Sequence, residues 1–449
     1  MNILKKRLKE LELNPPRVLA LGFAGLILIG ALLLNLPIAS KSGESIGFVN
    51  ALFTSASSVC VTGLVVVNTG EYWSLFGHIV IIFLIQMGGL GFMTLATLVA
   101  LILGKKITLK ERLIIREQLN QETMSGLVKL TRYVIFSTFA IEGIGALVLS
   151  TRFIPIYGLG RGIWFSIFHS ISAFCNAGFD IMGNSIVPFV GDITINLTIA
   201  FLIIIGGLGF SVYIDISRNK RFKRFSLHSK LVLVTTFILI IVGMILFYLI
   251  EWNNPETLQT LNTKEKVISS FFQSVVTRTA GFNSVNMSKI RDTTTFIMIV
   301  LMFIGGSPGS TGGGIKTTTF GAIFLTTFSV IRGRNDVVAF KKRIPQEIIY
   351  RALSIASIGL FLIVIVSMIL TISEEANFLD LLFETTSAFA TVGLTRGITP
   401  DLTSFGKVLI TIMMYLGRVG PLTMAFAFAK RQKNIKENYR YSEENIFVG

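Results

Sequence analysis

The sequence is poor in charged residues: Asp, Glu, Lys and Arg make up 15% of its 449 residues. Soluble domains carry about 25% charged residues. A hydrophobic fraction of 52% and a mean hydropathy of +0.70 accompany this scarcity. The composition therefore excludes an ordinary soluble domain and predicts a protein that lies in a bilayer.

Cysteine and histidine are also scarce. Two cysteines, Cys60 and Cys175, exclude a disulfide framework, and the histidines His78, His169 and His228 are too scattered to form a metal cluster. The chain has no H-E-x-x-H, no G-x-S-x-G and no Asp pair in its apolar segments, so it is not expected to be an enzyme. It also lacks a phosphate-binding glycine motif, so any nucleotide must bind another polypeptide.

Positive charge is concentrated in a few places. Five stretches hold 29 of the 41 Lys and Arg residues: 1–17, 104–132, 217–230, 331–351 and 430–440. By the positive-inside rule these stretches are cytoplasmic, which predicts a multi-pass protein of the cell membrane with both termini inside. Anionic lipid head groups alone account for the charge, so it gives no reason to expect a nucleic-acid partner and only weak support for an acidic protein partner.

The sequence does contain one unit used four times. In four segments a Phe stands ten residues before a Gly: Phe53–Gly63, Phe168–Gly178, Phe271–Gly281 and Phe383–Gly393. A further glycine cluster follows each segment, beginning at Gly88, Gly206, Gly305 and Gly417. Glycine is common as a packing residue in membrane helices, but two markers that recur in step indicate a fourfold repeat.

Each repeat contains an apolar span, an apolar stretch too short to cross the bilayer, and a second span. The predicted fold is all-α, with eight transmembrane helices and four re-entrant pore helices around one pseudo-fourfold pore. The predicted divisions are a cytoplasmic amphipathic helix (1–16), repeat 1 (17–104), a basic loop (105–132), repeat 2 (133–216), a basic loop (217–230), repeat 3 (231–330), a basic loop (331–348), repeat 4 (349–429) and a cytoplasmic tail (430–449).

A short segment follows each half-span, and we call these the filter segments: Val61, Thr62 and Gly63; Asn176, Ala177 and Gly178; Thr279, Ala280 and Gly281; Thr391, Val392 and Gly393. None contains an acid, so any ion ligands must be backbone carbonyls, with Thr hydroxyls as further oxygens. Glycine permits the positive φ that aiming successive carbonyls inward requires. Rings of carbonyls that replace a hydration shell are how potassium channels select their ion. The alternative is that these glycines only pack helices.

These features together resemble the Trk/Ktr/HKT superfamily of potassium transport proteins, and Thr277–Asn283 (TRTAGFN), the glycine-rich break after it and Arg418 resemble its KtrB/KtrD-type membrane subunits. The resemblance implies K⁺ as the transported ion, with Gly63 favouring potassium over sodium, and no cofactor in this chain. It further implies a homodimer on a cytoplasmic RCK-type ring that binds nucleotide. A dependence of activity on Na⁺ is left open.

The second span of repeat 3 is broken by a glycine-rich stretch, which we call the intramembrane loop: Gly305, Gly306, Ser307, Pro308, Gly309, Ser310, Thr311, Gly312, Gly313, Gly314, Ile315 and Lys316. Such a break needs water or protein around its backbone. It is either a kink or an element in the ion path, and the resemblance implies that it is the gate. Arg418, a charge at membrane depth, is expected to contact the loop and hinder conduction; the alternative is that it snorkels to the interface.

Arg278 stands beside a filter segment, where a bare cation would repel the ion. We expect it behind the filter and paired with an acid, either Glu384 or Glu142. The sequence also leaves a second function open, a Na⁺- or H⁺-coupled secondary symporter, because such transporters also combine repeats with broken helices. Few acids lie in the apolar segments, which favours conduction over coupling.

Overall fold

The structure, a computed structural model, describes residues 15–91, 94, 109–118, 127–428, 442 and 444. The predicted amphipathic helix lies outside the described residues, apart from residues 15 and 16. Most of the basic loop at 105–132, the end of repeat 1 and most of the cytoplasmic tail also lie outside them.

The described chain is built almost entirely from helices. Repeat 1 contains α1 (Pro15–Leu34), α2 (Phe48–Cys60), α3 (Thr69–Tyr72) and α4 (Leu75–Leu90), and α5 (Leu109–Gln118) follows it. Repeat 2 contains α6 (Leu127–Tyr157), α7 (Leu159–Phe174), α8 (Ile193–Leu208) and α9 (Phe210–Asn219). Repeat 3 contains α10 (Leu227–Glu251), α11 (Thr263–Val276), α12 (Asp292–Phe303) and α13 (Thr317–Ile331). Repeat 4 contains α14 (Gln346–Ser373), α15 (Phe378–Phe389), α16 (Ser404–Val419) and α17 (Pro421–Phe428).

The remaining elements are short. A two-stranded antiparallel hairpin, β1 (Val338–Ala339) and β2 (Lys342–Arg343), lies between repeats 3 and 4. Single 3-10 turns lie at Pro37–Ala39, Val187–Phe189, Phe222–Arg224 and Met287–Lys289.

The first helix of each repeat is long and apolar enough to cross a membrane, namely α1, α6, α10 and α14. The second spans are shorter pieces. Helices α8 and α9 would together make a fifth span, but they meet at an angle of 91°. The sequence predicted one second span in each of repeats 2 and 4, and the structure divides each of these into two helices. In repeat 1 most of the predicted span after Gly91 lies outside the described residues. Gly91, Gly209 and Gly420 end the helices with φ of +80°, +89° and +91°, values that an α-helix does not accommodate.

Side-chain caps fix where the second spans begin. The side chains of Ser74, Asp192 and Thr403 accept hydrogen bonds from backbone N–H groups in the first turns of α4, α8 and α16. In repeat 3 the fully buried carboxylate of Glu251 accepts instead from the N–H of Arg291, the residue before α12, at 2.9 Å, and from the hydroxyl of Thr294 in its first turn. These contacts tie the loops that follow the filter segments to the starts of the second spans.

The short helices α2, α7, α11 and α15 lie in the centre of the molecule. In three repeats a serine of the short helix donates to a carbonyl of the first span and faces a glycine there. The pairs are Ser55 with Gly30, Ser170 with Gly145 and Ser274 with Gly243, and a Cβ on the glycine would lie 2.3–2.5 Å from the serine oxygen. Small residues thus let the short helices approach the first spans closely.

Repeat 3 differs from the other repeats by one residue. At the repeated position of the short helices the fully buried phenylalanines are Phe53, Phe168, Phe272 and Phe383, so the structural equivalent in repeat 3 is Phe272 rather than Phe271. The Ala280 N–H donates to a carbonyl four residues back, whereas Thr62, Ala177 and Val392 donate to carbonyls five residues back. The turn from helix to filter segment is therefore one residue shorter in repeat 3.

Candidate functional site

The four filter segments meet in a closed ring. A Cβ added to the glycine of one repeat would collide with the carbonyl oxygen that precedes the glycine of the next repeat. The distances are 2.5 Å from Gly63 to Ala177, 2.7 Å from Gly178 to Ala280, 2.8 Å from Gly281 to Val392, and 2.0 Å from Gly393 to Thr62. The contacts run from repeat 1 to 2, 3, 4 and back to 1. The backbones thus surround one narrow axis and leave no room for a side chain at these glycines.

The backbone of the filter segments is strained in the same way in all four repeats. Each glycine has positive φ, and so has the residue two positions before it: Val61 (58°), Asn176 (59°), Thr279 (67°) and Thr391 (51°). Positive φ is unfavourable for β-branched residues such as Val and Thr. Conformations of this kind persist where the surrounding fold imposes them, as at ligand sites. Positive φ at alternate residues turns successive carbonyls toward one side, which an ordinary strand does not do.

The ligands available to a cation in this ring are uncharged oxygens. Among the described residues, no group of three or more His, Cys, Asp or Glu side chains is placed to hold a metal ion. The hydroxyl oxygens of Thr62 and Thr391 are buried and have no hydrogen-bond partner in the described structure. Buried, unpaired polar atoms of this kind mark places where a water molecule or an ion binds.

The intramembrane loop lies directly against one end of the ring. Its two limbs are joined by a bridge between Ile304 and Ile315. A Cβ at Gly312 would lie 2.4 Å from the Thr279 hydroxyl oxygen, and one at Gly313 would lie 2.2 Å from that of Thr391. Glycine is therefore required where the loop touches the filter segments.

The loop is also bonded to repeat 2. The Ser307 N–H donates to the Gly207 carbonyl at 2.9 Å, and the Phe210 N–H donates to the Gly309 carbonyl at 3.0 Å. The Thr311 hydroxyl lies 3.3 Å from Oδ1 of Asn176, whose Nδ2 donates to the Arg278 carbonyl at 3.1 Å. The Asn176 carboxamide therefore links the loop to filter segments two and three, a side-chain role that the sequence did not predict.

Three cationic side chains hold the loop through its carbonyl oxygens. Arg418 donates to the Thr311 carbonyl and to the Gly88 carbonyl of repeat 1. Lys316 Nζ donates to the Gly312 carbonyl at 2.7 Å, and Arg278 Nη2 donates to the Gly305 carbonyl at 3.0 Å. The contact of Arg418 with the loop agrees with the expectation from the sequence, and its effect on conduction stays a prediction.

The prediction that Arg278 pairs with Glu384 or Glu142 is wrong. In the described part of the chain Arg278 forms no ion pair, and its guanidinium donates to the Gly305 carbonyl. Glu142 accepts instead from Gln86 Nε2 at 3.1 Å, and Glu384 accepts from the Thr399 hydroxyl. The sequence offered no signal for a contact with a carbonyl of the intramembrane loop.

At the opposite end of the ring a second polar cluster follows filter segment two. The Asp180 carboxylate accepts from the backbone N–H groups of Met182 at 2.6 Å and Ser185 at 2.9 Å, and Oδ1 lies 3.5 Å from Nε2 of His169. Burial opposes ionisation of Asp180, but His169 and these N–H donors outweigh it and lower the pKa of the carboxyl below its ordinary value. The sequence did contain a signal for this cluster, because Asp180 is the one acid that stands two residues after a filter glycine.

Comparisons with known proteins agree with this geometry. The profile of the TrkH family, described as a cation transport protein, matches residues 25–438. The Ktr system potassium uptake protein B of Bacillus subtilis is 46% identical, with 99% of each chain covered. The Potassium/sodium uptake protein NtpJ of Enterococcus hirae is 43% identical, with 100% of each chain covered. The crystal structure of the potassium transporter TrkH from Vibrio parahaemolyticus has a similar fold, with a TM-score of 0.71 at 17% identity, over 91% of this chain and 83% of that one. This chain belongs to the TrkH family of cation transport proteins.

Proposed function

We propose that this chain is the ion-conducting membrane subunit of a Ktr-type potassium uptake system. The names of its relatives, a potassium uptake protein and a potassium/sodium uptake protein, support potassium as the ion. The closed ring of backbone carbonyls carries the proposal, since uncharged oxygens arranged around one axis can replace the hydration shell of K⁺. Four repeats, each with two spans and a re-entrant pore helix, surround this axis, and the four filter segments select K⁺ by their carbonyls.

The intramembrane loop is the gate of this pore. Its contacts with Thr279 and Thr391 and its hydrogen bonds to repeat 2 support a closed position beneath the filter. Its glycines give the backbone the freedom that a moving element requires. Opening requires that Thr311 and Gly312 of the loop move away from the axis while α12 and α13 stay in place.

The gate responds to a cytoplasmic partner, and the protein works as a homodimer. The Ktr system naming of relatives supports association with other subunits. The rings of Phe222 and Phe340 lie 6.2 Å apart, which brings two of the basic stretches together, with Lys230 beside both rings. This surface docks a nucleotide-binding ring of RCK type, and both termini of the chain are cytoplasmic.

Substitution of one filter glycine tests this function. The purified full chain is placed in liposomes, and K⁺ and Na⁺ fluxes are compared for the native protein and Gly281→Ser. Native flux is expected to be selective for K⁺, and Gly281→Ser to lose selectivity by about tenfold or more, which corresponds to roughly 1.4 kcal/mol of differential binding. The reason is the collision of a side chain at this position with the Val392 carbonyl.

The matched control is Gly43→Ser. Gly43 has φ of +73°, close to the +71° of Gly281, but a Cβ there meets no atom within 4 Å. Both variants thus carry the same backbone strain, and selectivity is expected to change only in Gly281→Ser. Unchanged selectivity in Gly281→Ser would show that Gly281 is not part of a filter. An absence of K⁺ flux, even with the cytoplasmic ring added, would also contradict the assignment.

One observation favours a second candidate, a Na⁺- or H⁺-coupled symporter. Glu142 lies within the first span of repeat 2, and its side chain is only 4% exposed. Carboxyl groups at membrane depth are typical of ion coupling and proton relays. This candidate predicts that flux depends on a second ion and on Glu142.

A further inference from the structure

An arginine holds the loop that follows filter segment four. We call this loop, residues 394–403, outer loop four, and Arg396 lies in it three residues after Gly393. Its Nη1 donates to Oδ1 of Asp292 at 3.1 Å and forms an ion pair with Oδ1 of Asp380 at 2.8 Å. Asp292 begins α12 of repeat 3, and Asp380 lies in the first turn of the short helix α15. One guanidinium nitrogen therefore joins outer loop four to its own short helix and to the neighbouring repeat.

The two ion pairs differ in their exposure to solvent. The side chains of Arg396 and Asp380 are 14% and 16% exposed, whereas that of Asp292 is 80% exposed. Exposed ion pairs contribute little to stability, and a charge that is largely withdrawn from water needs a partner. The pair with Asp380 is thus the stronger attachment, and the pair with Asp292 adds a weaker link to repeat 3.

A second acid of α15 holds the same loop through hydroxyl groups. Glu384 lies one helical turn after Asp380 and is fully buried. Its Oε1 accepts from the Thr399 hydroxyl, which lies 3.1 Å from the Thr395 hydroxyl oxygen. Outer loop four is therefore attached to α15 at two successive turns. Carboxylates one turn apart on a helix repel each other, and the positive charge of Arg396 offsets this repulsion.

The link between repeats 3 and 4 differs chemically from two other links between neighbouring repeats. Between repeats 1 and 2, Asn68 Nδ2 donates to the Gly183 carbonyl at 3.2 Å. Between repeats 2 and 3, the Asn283 N–H donates to the Ser185 hydroxyl oxygen at 3.0 Å. Those links are neutral hydrogen bonds, whereas Arg396 uses a charge. The residues that stand three positions after the other filter glycines are uncharged: Val66, Ile181 and Ser284.

A displacement of outer loop four reaches the carbonyl ring directly, because two residues separate Arg396 from Gly393. A Cβ at Gly393 would lie 2.0 Å from the Thr62 carbonyl oxygen of repeat 1. A Cβ at Gly281 of repeat 3 would lie 2.8 Å from the Val392 carbonyl oxygen. Filter segment four thus packs tightly against the segments on both sides, so a shift of its outer end changes the positions of carbonyls in three repeats.

We propose that Arg396 is a positioning residue for ion selection: through its pairs with Asp380 and Asp292 it fixes the outer end of filter segment four. This inference rests on the proposed filter. Loss of the guanidinium releases outer loop four from α15 and from repeat 3. The carbonyl ring then adapts to ions of different size, and selectivity for K⁺ over Na⁺ falls.

Two substitutions with opposite effects on charge separate this role from a purely electrostatic one. Arg396→Gln removes a positive charge near the entrance of the filter, and Asp380→Asn removes a negative charge there. A field that acts only on arriving cations would shift the apparent KM for K⁺ and Na⁺ together, downward in the first variant and upward in the second, with an unchanged flux ratio. Loss of the attachment instead lowers the K⁺/Na⁺ flux ratio in both variants.

The test measures K⁺ and Na⁺ fluxes of the purified full chain in liposomes. Arg396→Gln and Asp380→Asn are each expected to lower the K⁺/Na⁺ flux ratio several-fold. Arg396→Lys is expected to restore most of the ratio, because both ion pairs use the single nitrogen Nη1 and a point charge can take its place. The matched control is Arg152→Gln, which removes an arginine of the first span α6 from its pair with Asp192 and should keep the native ratio.

Asp292→Asn supplies a measurement that does not depend on the folding of the Arg396 variants, since this side chain is exposed at the surface. It is expected to lower the ratio less than Asp380→Asn does. Unchanged ratios in Arg396→Gln and Asp380→Asn would overturn the inference, as would a ratio in Arg396→Lys as low as that in Arg396→Gln. If Gly281→Ser is leaky to Na⁺ under either result, the filter stands without this inference, whereas an unaffected Gly281→Ser removes both.

Discussion

Arg418 is the residue at which three parts of the molecule meet. It extends from the end of α16 in repeat 4, donates to the Gly88 and Gly89 carbonyls of repeat 1, and donates to the Thr311 carbonyl of the intramembrane loop. Hydrogen bonds from charged donors are each worth roughly 1.5–3 kcal/mol. These bonds tie the loop to α16 and to repeat 1, so under the proposed gating role their loss favours the open position.

Removal of this side chain is expected to increase conduction in the absence of any regulator. Arg418→Ala should raise basal K⁺ flux by about tenfold or more, because a change of about 1.4 kcal/mol in the equilibrium between closed and open loop is a factor of ten. Arg152→Ala, which removes an arginine from an exposed ion pair, serves as the control and should leave basal flux unchanged. Liposome flux without partner measures both. Equal basal flux in native protein and a well-folded Arg418→Ala would contradict the assignment.

At the level of single residues, the sequence predicted types of side chain better than their partners. The filter glycines and Arg418 were proposed from the sequence because positive φ and charge in a membrane have few physical solutions. The partner of Arg278 was not predicted, since a tertiary contact across 27 residues of sequence brings the Gly305 carbonyl to it. For the same reason the carboxamide of Asn176 and the His169–Asp180 contact could not be read from composition or spacing.

Among the elements, one bend in the second spans contacts the intramembrane loop, the proposed gate. Gly209 turns α8 into α9 with φ of +89°, and a Cβ there would lie 2.5 Å from the Pro308 carbonyl oxygen. Gly420 separates α16 from α17 with almost the same φ, +91°, but its nearest neighbour would be the Thr423 hydroxyl oxygen at 3.7 Å. The two glycines thus have the same backbone requirement, and only one of them touches the intramembrane loop.

This difference gives a matched pair of variants. Gly209→Ala and Gly420→Ala should each lower stability by about 1–3 kcal/mol through backbone strain, seen as a lower Tm of the purified protein. Only Gly209→Ala should also raise basal K⁺ flux, because its methyl group displaces Pro308 and weakens the bond from the Phe210 N–H to the Gly309 carbonyl. Similar fluxes in the two variants, at similar losses of stability, would show that the bend does not act on the loop.

Hydropathy located the elements well where length and polarity define them. The predicted short apolar stretches of repeats 1 and 4 are the helices α2 (Phe48–Cys60) and α15 (Phe378–Phe389). The breaks at Gly209 and Gly420 were not predicted, because apolar residues continue across them and glycine alone is common in membrane helices. The shorter turn in repeat 3 was also hidden, since either Phe271 or Phe272 fits the repeat by composition.

For the whole molecule, the sequence predicted four repeats around one pore, but it could not predict which backbone atoms of the filter segments meet. The ring depends on contacts between glycines and carbonyls that are about a hundred residues apart or more, such as Gly393 with Thr62. The result of this closure is an axis surrounded by uncharged oxygens. Glu142, the acid that a coupled mechanism would use, instead joins α6 to α4 by accepting from Gln86, behind the short helix α7.

This placement predicts uncoupled transport. K⁺ flux in liposomes should increase in proportion to the K⁺ gradient with Na⁺ absent and with no pH gradient. The Glu142→Gln variant should retain most of this flux, because the isosteric amide keeps the contact between α6 and α4 while it removes the carboxylate. Unidirectional flux measured under each gradient separately tests this. If a Na⁺ or proton gradient drove K⁺ accumulation, and Glu142→Gln abolished that accumulation, the symporter would replace the channel-like mechanism. The carbonyl ring would then serve as the binding site of a coupled transporter.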